Sequence, residues 1–483
     1  MKRFVVNEEF REGSRCARLF WLDRQNGIES HGINRELSEA AQNYIKGGKK
    51  VRPASPEEMA SQTAYYISRG ARTVKGPVFI TGGICLNAEI LRVDREGGAT
   101  VYFTQSALHI RRVFCKEAAL LLYAVEELGF ENVRVILLLP DKRYTRDGEI
   151  DAKRFFAKYD LTADAKAMRD KAYGAARGLC RVAEDDQEPR QDIHQGCFNP
   201  DTCKYFGHCT KHLPNPNVFK ISRLPQNTKL KLYSEGKYSY ESLAGHPALT
   251  DLQRSQINMT LRKAPPIIKK KELEEFLGEL WYPMCFLDFE SWQPPVPPAD
   301  GMKAFEQIPF QYSLHVIEKE SGEMTHKEFL ACGEADPREA LAESLVSHVP
   351  EGACVVVYNK QFEKMVIGDL ASSFPHMEQK LRQISENIRD LMTPFQKKMY
   401  YDRRMEGSFS IKAVLPALYP DDPELCYDNL CGVHNGSQAM LTYSKMSDMS
   451  EDEREKCRAQ LLKYCELDTL AMVKILEKLR NAL

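Results

Sequence analysis

The spacing of apolar and polar positions changes several times along the chain, and each change marks an element. In "YPMCFLDFESW" (282–292) a strand's period of two places Met284, Phe286, Asp288 and Glu290 on one face, with Cys285, Leu287 and Phe289 on the other. "GICLNAEILRVD" and "GATVYFTQSAL" read as adjacent strands that turn at Gly97-Gly98. "CKEAALLLYAVEELGF" has helical spacing and stops near Gly129, and "NVRVILLLP" is short and apolar enough for a buried strand. "KKKELEEFLGEL" predicts a helix, and "CVVVYN" a buried strand that breaks at Asn359 and leads into a helix carrying Phe362 and Glu363. "LLKYCELDTLAMVKILEKL" predicts a long helix with Tyr464 and Asp468 four apart, hence on one face. Strands alternating with helices predict an α/β protein, without internal repeats.

Breaks in this pattern suggest three segments. Residues 1–215 end in a cysteine-rich stretch followed by "LPNPNV", which has the composition of a linker. Residues 216–280 form a basic, largely helical connector, and 281–483 a second α/β domain. A chain of 483 residues is long enough for two or three cores. No apolar run approaches the length of a membrane span, and the N-terminal stretch lacks an uninterrupted apolar core. The expectation is therefore a soluble, cytoplasmic protein without a membrane partner. Fourteen cysteines without a secretory signal favour reduced thiols or metal ligands over a disulfide framework.

The net charge of −1 conceals a division. Residues 218–271 hold 11 Lys and Arg against 3 Asp and Glu, whereas 285–483 hold 22 against 32. Either block reads plainly as a solvated face. A basic segment beside an acidic, cation-seeking domain also suits a protein that draws phosphate toward carboxylates.

The acidic segment carries the sharpest chemistry. Two carboxylates side by side at the end of an apolar strand repel each other and lose hydration, and a divalent cation is the usual compensation. Asp288-Phe-Glu290, Asn359-Lys-Gln-Phe362-Glu363 and Tyr464-Cys-Glu-Leu-Asp468 resemble, in order and in predicted element, the three motifs of the DEDD exonucleases of the RNase H-like fold. The resemblance implies a mixed sheet flanked by helices and two Mg²⁺ or Mn²⁺ ions held by Asp288, Glu290, Glu363 and Asp468. It also implies a Tyr464 that helps orient the attacking water in 3′-5′ phosphodiester hydrolysis. Glu363 is a departure, because the family has Asp there. "GSFSIKAVLPALYP" belongs to the same resemblance. Ser410, Ile411, Lys412 and Val414 to Leu418 match a segment of bacterial proteins whose C-terminal domain was catalogued as a domain of unknown function. Asn359 and Lys412 are candidate substrate contacts.

"HQGCFNPDTCKYFGHC" spaces Cys197, Cys203 and Cys209 at six-residue steps, with Cys16 far upstream. Zinc ribbons usually pair cysteines two or four apart. The arrangement resembles the iron–sulfur nucleases of the RecB-like PD-(D/E)XK class, including CRISPR-associated ones. That implies a [4Fe–4S] cluster on Cys16, Cys197, Cys203 and Cys209, and zinc in the same four thiolates is the rival. The cleavage residues of that class are missing. Glu89 stands where the family has Asp, Phe103-Thr104-Gln105 where it has Glu-x-Lys, and Leu121 where it has a helical Gln. A domain with this fold, without cleavage, is left with binding, for which "LHIRRVF" supplies aromatic and basic side chains. Two functions follow as expectations. One is a metal-dependent 3′-5′ exonuclease acting on single-stranded ends of DNA or RNA, with an inactive N-terminal domain used for binding. The other is a non-catalytic nucleic-acid-binding or scaffold protein built on two relic nuclease folds.

Overall fold

The computed structural model describes residues 4–28, 34–333 and 336–483. The chain forms two compact units, one of residues 1–212 with 294–306, the other of 213–293 with 307–483. Both are α/β, as the alternation of strand and helix periods predicted.

Unit 1 is built on a six-stranded sheet whose spatial order follows the chain. Its strands are Lys49–Lys50 (β1), Thr73–Lys75 (β2), Ile90–Val93 (β3), Ala99–Thr104 (β4), Val133–Pro140 (β5) and Phe156–Asp160 (β6). β3 and β4 form the antiparallel hairpin expected around Gly97-Gly98, and β4 pairs in parallel with β5. The unbroken apolar run of β5 is explained by cover on both faces. Val135, Leu137 and Leu139 pack with helices Arg112–Glu126 (α3) and Thr162–Glu184 (α4), while Ile136 and Leu138 join Leu37, Tyr144 and Phe155. Helices Asn7–Gly13 (α1) and Ala17–Gln25 (α2) precede the sheet in the chain.

"GICLNAEILRVD" is not one strand but two. Ile84–Asn87 belongs to a separate three-stranded sheet, and β3 begins only at Ile90. The chain breaks at Ala88-Glu89, where the buried Glu89 carboxylate accepts hydrogen bonds from the Thr104 amide (2.8 Å) and the Ser38 hydroxyl (3.1 Å).

In unit 2 the sheet order is Met324–Leu330 (β9), Ile308–Ile317 (β8), Met284–Trp292 (β7), Cys354–Val357 (β10) and Ile388–Asp390 (β11). β7 is central, antiparallel to β8 and parallel to β10. Its predicted alternation is realised. Cys285, Leu287 and Phe289 pack with helices Arg338–His348 (α5) and Lys360–Ser373 (α6). Met284 and Phe286 pack on the other face with Met472, Ile475 and Leu476 of the long helix Glu451–Arg480 (α9). Helices Ile411–Leu418 (α7) and Gly436–Lys445 (α8) complete that second layer.

The basic connector expected over 216–280 is not a separate body, because its residues cluster with unit 2. Helix Lys270–Gly278 buries Leu273 and Phe276 in the core shared with α9, and Ile267–Ile268 pairs with Tyr400–Tyr401. Its amphipathic face needed a partner, and the nearest apolar surface belongs to the following domain. No helix among the described residues is long and apolar enough to cross a membrane.

Candidate metal centre

The strand period and the helix period meet at one place in unit 2. Asp288 and Glu290 leave the same face of β7, and α9 packs on that face. One carboxylate oxygen each from Asp288, Glu290 and Asp468 lies within 4.8 Å of the others. Three carboxylates this close cannot all stay ionised at ordinary cost. Burial, followed by repulsion from Asp468, Glu290 and Glu363, holds the Asp288 carboxyl well above its usual range. Burial and Asp468 push Glu290 up to about 8. Asp468 is also raised by burial, moderated by hydrogen bonding to Tyr427 and by the Lys412 charge.

Glu363 sits in the first turn of α6, whose N-cap, Asn359, lies in the left-handed region (φ 81°). Asn tolerates this backbone better than most residues. The Asp390 carboxylate, from the neighbouring strand β11, accepts from the backbone amides of Asn359 (3.1 Å) and Lys360 (3.3 Å) and so caps the helix. Glu363 is 2% exposed and its Oε2 has no hydrogen-bond partner. Burial pushes this carboxyl up to about 8. It is near enough to raise Asp288 but stands outside the set of three oxygens within 4.8 Å. The Asn359 side chain is exposed.

Tyr464 lies one helical turn before Asp468 and is 4% exposed. Burial together with Asp468, Glu290 and Asp288 raises its pKa far beyond the ordinary phenol range, so the hydroxyl keeps its proton. Lys412, near the start of α7, donates from Nζ to the Tyr464 hydroxyl (3.3 Å) and to the His434 carbonyl (2.7 Å). Its charge lowers the pKa of both Glu290 and Asp468, a link from the "SIK" segment to the carboxylates.

Three participants carried no sequence signal. Tyr427 donates to Oδ1 of Asp468. His434 hydrogen-bonds the Tyr427 carbonyl through Nδ1 (3.0 Å) while its own carbonyl holds Lys412. Gly436 opens α8 beside Glu290, where an added Cβ would lie 3.3 Å from a carboxylate oxygen. Tyr427 lies in a short 3-10 turn and His434 in irregular chain, neither with a period to read. Their only mark in the sequence is proximity to the "SIK" segment and to α9.

The donor set suits a hard cation. It offers several carboxylate oxygens on rigid elements, carboxyl groups whose repulsion a cation would relieve, and a buried Glu363 oxygen without a partner.

In unit 1, Cys16, Cys197, Cys203 and Cys209 line one small cavity together with Arg15, Arg18 and Tyr205. Cys16 is the N-cap residue of α2, Cys197 lies in a 3-10 turn, and Cys209 in a short helix. The sulfurs are supplied with donors. The His194 amide reaches Cys197 (3.5 Å), and Arg18 Nη1 reaches Cys209 (3.6 Å). All four are free thiols. The two ends of unit 1 thus meet at the predicted cysteines, and four soft ligands around one cavity fit a soft metal group.

Of the positions that the resemblance compares with cleavage residues, Gln105 joins a buried polar network. Gln105 donates to the fully buried Glu117 of α3 (3.0 Å), which also accepts from Asn7 (2.7 Å) and from Nη1 of Arg11 (3.1 and 3.0 Å). Sequence reasoning missed Glu117 and Arg11, which are 106 residues apart. Leu121, by contrast, is core. Beside this network runs an open groove lined by Arg11, Arg15, Arg111 and Lys116 with a single acid, Glu12. Among the described residues neither Arg111 nor Lys116 has an ion-pair partner.

Residues 285–410 match a family profile described as a domain of unknown function (DUF2779). The chain is similar to an uncharacterized protein of Ureaplasma parvum serovar 3, with 27% identity over 211 residues. That stretch is 39% of this chain and 30% of the relative, so the chain spans about a third or less of the relative's length. No solved structure matches the chain.

Proposed function

We propose that unit 2 is a divalent-metal-dependent 3′-5′ exonuclease acting on single-stranded ends of nucleic acid. The observation that carries this reading is the convergence of Asp288, Glu290 and Asp468, from a central strand and a distant helix, with Glu363 buried beside them. Such a cluster is electrostatically unfavourable by itself and becomes favourable around cations. These four residues would hold a pair of Mg²⁺ or Mn²⁺ ions, which when bound supply an activated water and stabilise the departing 3′ oxygen of the phosphodiester.

The chain's own groups have separable tasks. Tyr427 fixes the orientation of Asp468 through its hydrogen bond. Tyr464 retains its proton, so it positions a water rather than deprotonating one. Lys412 holds the Tyr464 hydroxyl and leaves a positive charge beside the carboxylates for substrate phosphate. In unit 1, Cys16, Cys197, Cys203 and Cys209 would hold a [4Fe–4S] cluster as a staple, with zinc as the rival, and the basic groove would bind nucleic acid without cutting it. The internal Arg11–Glu117 pair supports that division, because a guanidinium already occupies the acid that a metal would need.

The test uses end-labelled single-stranded DNA and RNA with Mn²⁺. Shortening from the 3′ end that is lost in Asp288→Ala is the expected result, and unchanged trimming in that variant removes the site. A second reading, a non-catalytic nucleic-acid-binding scaffold, draws on the position of Glu363 outside the closest carboxylate set. It expects salt-sensitive binding with no metal requirement and no cleavage by the wild-type protein.

A further inference from the structure

Unit 2 holds a second cavity, about 230 Å³, whose lining includes two cations and no acid. The cations are Arg223 and Lys398. Burial and the proximity of Arg223 both lower the pKa of the Lys398 amine, so two like charges face one cavity without a counter-ion. Among the described residues, neither side chain has a hydrogen-bond or ion-pair partner. Each lies over an aromatic ring instead: Arg223 is 5.9 Å from the ring centre of Phe409, and Lys398 is 5.2 Å from that of Tyr401. Like charges held this way are stabilised by an anion between them.

The cavity is built rather than incidental. Arg223 and Lys398 both adopt left-handed backbones (φ 55° and 54°), which are uncommon for long side chains and persist where surrounding structure imposes them. Gly407 (φ 77°) closes against Gln256, and a Cβ there would stand 2.7 Å from its amide. Gln256 is itself fixed, accepting from the Ser222 amide (3.0 Å) and donating to the Lys220 carbonyl (2.9 Å) and the Tyr240 hydroxyl (3.0 Å). Tyr401, also in the lining, is 5% exposed, and its hydroxyl has no partner. A buried hydroxyl left this way is a place for a ligand's polar atom.

Shape and position narrow the ligand. Two cations beside aromatic faces fit phosphate joined to a flat ring, and the volume suits one such unit rather than a longer segment. Phe409 is three residues before Lys412, and its carbonyl accepts from the Tyr358 hydroxyl (2.8 Å) just ahead of Asn359. One chain segment therefore runs from this cavity to the carboxylate centre.

We propose that the cavity is a subsite for one nucleotide of a nucleic-acid strand, with phosphate between Arg223 and Lys398 and the base against Phe409. The choice of a strand over a free mononucleotide rests on the exonuclease reading of the neighbouring centre; the nucleotide chemistry does not. The test measures binding by full-length protein in EDTA, using fluorescein-labelled single-stranded DNA and RNA in one arm and nucleoside monophosphates in the other. Arg223→Asn and Lys398→Asn remove charge while keeping a residue that tolerates the left-handed backbone, and thermal melting checks that each variant folds. The double variant is expected to bind oligonucleotide at least 10-fold more weakly. Its slope of log affinity against log salt should be shallower by about 0.7, the share of one single-strand phosphate. Phe409→Leu, which keeps apolar bulk, should weaken oligonucleotide binding that persists at high salt.

Unchanged affinity and slope in the folded double variant overturn the subsite. Loss confined to the monophosphate arm overturns the strand assignment. Cleavage by the wild-type protein with unaltered binding in the variants sinks this subsite and spares the carboxylate centre. Weakened oligonucleotide binding in the variants of a protein that never cleaves with Mn²⁺ supports the subsite and sinks the exonuclease.

Discussion

The Tyr427 hydroxyl donates a hydrogen bond to Oδ1 of Asp468, joining a 3-10 turn to a helix position 41 residues later. Asp468 is thereby held toward Asp288 and Glu290 rather than free to rotate. Tyr427→Phe should lower Mn²⁺-dependent trimming by about 10–100-fold, the usual effect of losing a group that orients a ligand. The lost hydrogen bond should cost only about 1 kcal/mol of stability, so thermal melting separates positioning from collapse.

The crowded carboxylates should destabilise the metal-free protein. In EDTA, Asp288→Asn should melt a few degrees above wild type, because the amide keeps the shape and replaces a carboxyl that burial and its acidic neighbours make costly to ionise. Millimolar Mn²⁺ should raise the wild-type melting temperature and leave that of the variant nearly unmoved. Burial raises the pKa of Glu290 to about 8, so Mn²⁺ binding should also tighten as pH rises toward that value and release protons as it does.

Glu89 gives unit 1 its own pH dependence. Burial pushes its carboxyl from 4.5 up to about 8, so the folded state keeps a proton that the unfolded chain has released. Its contribution is fully present below about pH 4.5 and is lost as pH rises toward 8, at about 1.4 kcal/mol per unit. Melting measured at pH 5.5 and 8.5 should show this fall in the wild type and a flatter profile in Glu89→Gln.

Arg11 and Glu117 form a pair whose acid is fully buried. Arg11→Met leaves that acid without its guanidinium and should cost about 3–5 kcal/mol in denaturant unfolding. Adding Glu117→Leu should restore much of the loss, since a well-packed apolar pair replaces a buried ionic one at little net cost. Two additive losses would mean that the pair is not the unit of stability.

Anaerobically purified protein should show broad absorbance near the blue edge of the visible, which Cys197→Ser removes together with several degrees of melting temperature. A colourless protein carrying one equivalent of zinc would assign the four thiolates to the rival metal.

Local backbone geometry made much of unit 2 legible in the sequence. A period of two placed Asp288 and Glu290 on one face of a strand, and a spacing of four placed Tyr464 and Asp468 on one face of a helix. The turn at Gly97-Gly98 likewise announced its hairpin. Tertiary packing decided what those faces meet. The long helix Glu451–Arg480 covers Met284 and Phe286 rather than Cys285 and Leu287, and only that choice brings Asp468 to the strand's carboxylates. It also recruited Tyr427, drew the basic segment into unit 2 and set Arg11 against Glu117. Periodicity follows from bonds between near neighbours, whereas a partner for a buried polar group is chosen only when the core closes and water is withdrawn.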